Sequence, residues 1–128
     1  MYRLLDVFFF AFHTALILFV LLGWLSRRTR AAHLVIVLLT AFSWFVLGIW
    51  YGFGYCPCTD WHWHVRQQLG DDDLPFSYIK FLIDRLTGWD VNADLVNVVT
   101  VAALAVVLVA STYLNVRSWL SRRKAAEE

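Results

Sequence analysis

Charge is scarce in this 128-residue chain: 11 Lys and Arg stand against 10 Asp and Glu, together 16% of the residues. A net charge of +1 offers no basic surface for nucleic acid, so that class of partner is excluded. The chain has no internal repeat, no low-complexity stretch and no linker long enough to separate domains, so residues 1–128 read as one unit. With only 2 cysteines, it can form at most one internal disulfide.

What fills the chain instead is apolar side chain, 60% hydrophobic and 17% aromatic, with a mean hydropathy of +0.60. Three long apolar runs, Leu4 to Ser26, Ala31 to Tyr55 and Leu95 to Leu114, occupy most of it. A hydrocarbon core about 30 Å thick needs about 20 helical residues at about 1.5 Å each. Lipid offers no partner to a free N–H or C=O, and three strands cannot close a barrel. The expected fold is therefore an all-α membrane protein with three transmembrane helices over 4–26, 31–55 and 92–115. Between the second and third lies a segment, 56–91, and a basic tail, 116–128, follows the last.

The basic residues set the expected orientation. Arg27, Arg28 and Arg30 sit between the first two runs, and Arg117, Arg122, Arg123 and Lys124 follow the third. Positive flanks stay cytoplasmic, which puts the amino terminus and the 56–91 segment outside and the carboxyl terminus inside. The first run carries Asp6 and is followed by RRTR rather than small residues, so it reads as a retained span and not a cleaved signal peptide. Trp24, Trp50, Tyr51, Tyr55, Trp61, Trp63, Trp89, Tyr113 and Trp119 cluster where runs end, as interfacial aromatic belts do.

A turn of about four residues, Arg27 to Arg30, makes the first two helices an antiparallel pair. Mildly polar stripes at helical spacing pass through His13 on the first span, His33, Thr40 and Gly48 on the second, and Asp94, Asn97, Ser111 and Asn115 on the third. Such stripes pack helix against helix. Gly48 and Gly52 have GxxxG spacing, which suits close helix approach or marks the end of the helix. In the outer segment, Thr59 or Asp60 can cap a helix over about 60–69, stopped by Gly70. Pro75 suits the first turn of another over about 76–87, stopped by Gly88. Phe76, Ile79, Leu82, Ile83 and Leu86 would form the apolar face of that amphipathic helix, lying at the interface or against the bundle.

Chemistry-bearing residues are densest in Cys56-Pro57-Cys58-Thr59-Asp60-Trp61-His62-Trp63-His64. Cys56, Cys58, His62 and His64 are ligand types for zinc or copper, although a helical conformation separates His62 from His64 by about 200°. A Cys56–Cys58 disulfide across one proline would be strained and easily reduced, which admits thiol redox chemistry in an oxidising compartment. The alternative is two thiols buried in the bundle mouth. His13 is an ionisable group inside the bilayer, a functional candidate by position. By helical depth it lies about 15 Å from His33, too far for one haem iron to take both. Arg66 can reach from the short helix toward Asp6 or Asp94, either as a clip or as part of a binding site. No cofactor is required by the pattern.

Arg3-Leu4-Leu5-Asp6, His13, Gly23, Ala32-His33-Leu34, Cys56-Pro57-Cys58-Thr59, Val65-Arg66, Gly70 and Tyr78-Ile79, in that order, resemble the bacterial membrane proteins grouped as domain of unknown function 2784. The resemblance implies a small polytopic inner-membrane protein and no particular activity. It also implies that Asp6, His13, Cys56, Thr59 and Arg66 are the candidate site at the outer mouth. That family usually has one cysteine where this chain has two, and an acidic residue near the place of His62. Two functions fit. One is a non-catalytic accessory or assembly subunit, associating in the bilayer with a larger membrane complex, such as a respiratory one, or with itself. The other is a membrane-embedded metal, haem or thiol-redox site at the outer mouth.

Overall fold

The computed structural model of the chain describes residues 1–128 and contains helices only. Helix α1 is Tyr2–Leu22, α2 is Arg30–Tyr51, α3 is Pro57–Gln68, α4 is Tyr78–Thr87 and α5 is Ala93–Glu127. Three of these, α1, α2 and α5, are long and apolar enough to cross a membrane. The second span is thus shorter than the 31–55 expected, because positive φ at Gly52 and Gly54 turns the chain out of the helix after Tyr51. The third is longer. Its 35 residues run through the basic tail to Glu127, since that tail is built of good helix formers and contains no glycine or proline.

The turn between α1 and α2 spans 23–29 and satisfies the carbonyls that a helix end leaves open. Thr29 Oγ1 donates to Gly23 O at 2.6 Å, and Arg30 Nε donates to Trp24 O at 3.0 Å. Gly23 lets the two helices close here. A Cβ at that position would lie 2.6 Å from Phe19 O and 2.9 Å from His33 Cδ2. The buried His33 then joins all three spans: its Nε2 bonds Val20 O of α1 at 2.7 Å and its Nδ1 bonds Ser111 Oγ of α5 at 2.9 Å. Asn115 Nδ2 donates to Arg30 O at 3.1 Å one turn further on. Beside this pin, Val37, Leu104 and Val107 form the core, with Val20, Trp24, Trp44 and Leu108 packed on it.

Near its other end α2 widens into a π-helical turn over Ser43–Leu47. The chain returns against that turn, with Ser43 Oγ donating to Tyr55 O at 2.7 Å. Gly48 faces Phe53 Cα, which a Cβ would meet at 3.1 Å, so the Gly48–Gly52 pair shapes the helix end and its return loop.

Helices α3 and α4 cover this end of the bundle. The expectation of a Thr59 or Asp60 cap is corrected: α3 starts at Pro57, with extended Cys56 as the N-cap. Proline has no N–H to lose at the first helical position and brings a φ suited to it, and Asp60 N already donates back to Cys56 O at 3.1 Å. Helix α4 is capped by the Ser77 side chain, which accepts from Lys80 N, and is ended by Gly88 at φ +73°. Its buried residues are Tyr78 and Phe81, whereas Phe76 precedes the helix and Leu86 is exposed. The expected aliphatic face is rotated because Tyr78 stacks on His13 of α1 and Phe81 meets Trp63 of α3 edge to face.

Candidate functional site

Helix α3 brings His62 and Arg66 onto Asp6 of α1. Asp6 Oδ1 accepts from His62 Nε2 at 2.7 Å and from Arg66 Nη1 at 3.1 Å. Arg66 also donates to Asp71 through Nε and Nη2, and its guanidinium lies 5.0 Å from the Phe81 ring centroid. Arg66 is therefore clamped between α1 and the loop after α3. The expected pairing with Asp6 is present, and the second carboxylate is Asp71 rather than Asp94. Gly70 bends the chain at φ +90° so that Asp71 N reaches Arg66 O, a return that helical spacing alone does not signal.

His62 is fully buried in a box of Phe9, Trp63, Tyr78 and Phe81, with ring centroids 5.4 to 6.2 Å away. Burial holds its pKa below the ordinary 6.5, against the pull of Asp6. The neutral ring donates through Nε2 to Asp6, which leaves Nδ1 as a buried acceptor with no donor.

His13 lies on the other side of Tyr78, stacked on it at 4.0 Å between centroids. It is only 6% exposed. Its Nε2 faces Cys56 Sγ at 3.9 Å and its Nδ1 has no partner. Cys56 is thus held between an imidazole and the start of α3, where free N–H groups favour a thiolate. The Cys58 thiol, His13 and the Thr59 backbone draw its pKa down, against burial. Cys58 moves up, because its thiol hydrogen is held in a hydrogen bond to Cys56, and burial and the neighbouring charge add to that. Both cysteines are free thiols.

Beneath this mouth is a cavity of about 390 Å³ between α1, α2, α4 and α5. His13, Cys56, Thr59, Ser77 and Tyr78 line it on the mouth side, and Thr40 of α2 and Asn97 and Thr100 of α5 add further polar side chains. Leu16, Ile17 and Val20 of α1 and Val101 and Leu104 of α5 line its apolar depth. The family-implied set therefore splits into two adjoining groups. Asp6 and Arg66 join His62 in the clamp, and His13, Cys56 and Thr59 face the cavity.

The four-residue metal set is corrected by the same geometry. No three His, Cys, Asp or Glu side chains converge as a ligand set. His62 turns inward to Asp6, and His64, two residues on along a helix, is exposed. His33 has both ring nitrogens engaged, so it is not an open haem ligand. Sequence reasoning gave no site role to Tyr78, which separates the two mouth imidazoles, or to Phe81, and placed Trp63 only in the interfacial belt. The alternation of Trp61, His62, Trp63 and His64 was the available signal, since one face of that helix had to bury an aromatic and an imidazole together.

Comparison with curated proteins and with solved structures gave no match. The family model described as "Protein of Unknown function (DUF2784)" matches residues 3–116, nearly the whole chain from the Arg3-Leu4-Leu5-Asp6 element through the third span, and the chain belongs to that family.

Proposed function

We propose that this chain is a membrane-embedded binding protein whose site is the mouth of the bundle, and that the mouth faces the periplasm of a bacterial inner membrane. The observation that carries this reading is the cavity of about 390 Å³ beneath the mouth, with His13, Cys56, Thr59, Ser77 and Tyr78 on its mouth side. Packed interiors leave few voids larger than a water molecule, so helix packing alone gives no reason to keep a space of this size. An occupant fills it. The Asp6–His62–Arg66 clamp then has the task of holding α3 and α4 over that occupant.

Purification in mild detergent, followed by extraction and mass spectrometry of small molecules, tests the reading, together with metal analysis, a visible spectrum and thiol titration. A stoichiometric small molecule or chromophore is the expected result. An empty, colourless preparation would overturn it. Sidedness is tested separately: a membrane-impermeant thiol reagent should label Cys56 or Cys58 in intact spheroplasts, and labelling only after lysis would reverse the topology.

A second reading is favoured by the few buried residues, 13 of 128. Three spans that bury so little among themselves leave wide faces for neighbouring helices, which suits an accessory or assembly subunit. Native pull-down with mass spectrometry should then return a stoichiometric membrane complex, and recovery of this chain alone would remove that reading.

A further inference from the structure

The two thiols at the mouth carry a conclusion that goes beyond the binding reading and does not depend on what fills the cavity. Cys56 is the N-cap of α3 and Cys58 lies in its first turn, with Pro57 between them. Both are free and half-buried. They face different ways: Cys56 is on the cavity wall, and Cys58 is not.

The groups around Cys56 Sγ are nearly all donors. His13 Nε2 lies 3.9 Å away, on a ring steadied by its stack on Tyr78. The Cys58 thiol and the Thr59 backbone N–H reach the same sulfur from α3. The nearest carboxylate along the helix, Asp60, is instead engaged by the Tyr55 hydroxyl at 3.3 Å. With the His13 hydrogen on Nε2, an imidazole N–H, a thiol and a backbone N–H converge on one atom, and the form of cysteine that accepts them all is the thiolate. An inert buried cysteine has the reverse, an apolar wall around a neutral thiol.

A single residue between two cysteines makes a strained disulfide. Strain makes a disulfide more oxidising, and so does anything that stabilises its reduced form. The donors on Cys56 do the second, and they make it the better leaving group, while Cys58 is the sulfur turned away from the cavity. We propose that Cys56 and Cys58 form a thiol–disulfide exchange site that oxidises a partner dithiol, with Cys58 as the attacked sulfur, Cys56 as the departing thiolate and His13 Nε2–H as its donor. A partner thiolate attacks Cys58 Sγ, the Cys56–Cys58 bond breaks, and Cys56 leaves. The partner's second thiolate then attacks the partner sulfur of the mixed disulfide, and Cys58 departs and takes a proton. Two electrons pass from the partner to the pair. One of the partner's two protons ends on Cys58 and the other in water. The reverse exchange, with a disulfide in excess, recharges the pair.

The test uses the full chain in nanodiscs, equilibrated with mixtures of reduced and oxidised glutathione, acid-quenched and alkylated so that mass counts the remaining thiols. An internal disulfide should form, and only where oxidised glutathione predominates. His13→Phe keeps the ring on Tyr78 and removes the donor, so it should shift that equilibrium about tenfold toward the disulfide. A packing role for His13 would not move it. Cys58→Ser and Cys56→Ser separate the two sulfurs. Iodoacetamide should alkylate Cys56 at a rate that stays flat below about pH 7, and Cys58 at a rate that falls steadily below about pH 8.5. The unsubstituted chain alone decides the equilibrium, so a variant that fails to fold leaves the test standing. Oxidised chain is finally mixed with a small dithiol or with an unfolded peptide bearing two cysteines. Transfer to both assigns protein thiols as the partner, and transfer to the small dithiol alone assigns a small molecule. The proposal is overturned if no internal disulfide forms at any ratio. It is equally overturned by a disulfide that persists in reduced glutathione and is unmoved by His13→Phe. Neither result touches the binding reading, which the extraction above tests separately.

Discussion

Both ends of this bundle bury a histidine between helices, and they treat it in opposite ways. At the α1–α2 turn, His33 has both ring nitrogens engaged, one by a carbonyl of α1 and one by a hydroxyl of α5. At the mouth, His13 and His62 each have one nitrogen placed and one left over. Identical side chains at equal burial thus differ in what their surroundings supply. A buried imidazole whose hydrogen bonds are complete is holding helices together. The mouth holds two half-complete rings, His62 in the clamp and His13 on the cavity wall, so its helices are held less fully than those at the turn.

The comparison breaks first at His33. His33→Ala removes two interhelical hydrogen bonds at about 1 kcal/mol each and opens a cavity, so a loss of about 3 kcal/mol is expected by reversible detergent denaturation. Gly23→Val should follow at about 1–3 kcal/mol, because its Cβ would press on Phe19 O and His33. At the mouth, Asp6→Ala strands both His62 and Arg66. It should cost about 2 kcal/mol and speed hydrogen exchange in α3 and α4 while leaving the His33 end protected. His13→Phe should change stability by less than about 0.5 kcal/mol, since it removes an unsatisfied group and keeps the ring on Tyr78. A loss in His13→Phe as large as that in His33→Ala would erase the contrast.

Acidity offers a finer test. Burial lowers the pKa of His62, so below its ordinary 6.5 the unfolded chain takes up the proton first. The stabilisation from neutral His62 is complete above that value and is lost as pH falls through the lower, folded one. Melting temperature should therefore drop as pH falls below about 6.5, and His62→Gln should flatten that part of the profile. Asp6 and Arg66, which flank the ring, are charged throughout that range in the unfolded chain.

How much of this was legible in the sequence depends on which force decides each feature. The three spans and the helix stop at Gly88 were legible, because run length and glycine at positive φ are local properties. The Arg66–Asp6 pair was legible because few charges lie near enough to meet. The start of α3 was misjudged because Thr59 and Asp60 are good caps, yet Pro57 opens the helix earlier. The face of α4 was misjudged for a different reason. Aliphatic periodicity pointed to Ile79, Leu82 and Ile83, but Tyr78 stacked on His13 and Phe81 edge-on to Trp63 fix the rotation, and those partners come from distant parts of the chain. The cavity was not legible at all, since an absence of packing has no sequence signature.

The length of α5 carries one more consequence. The helix crosses the bundle, is gripped at Ser111 by His33, and continues unbroken to Glu127. From that fulcrum Val101, on the cavity wall, is about 15 Å away in one direction and Glu127 about 24 Å in the other. A rod pivoting there would swing its basic end in the opposite sense and about 1.6 times as far as its wall moves. Filling or emptying a space inside the bilayer would in this way become a displacement in the water beyond it, where Arg122, Arg123 and Lys124 can be touched.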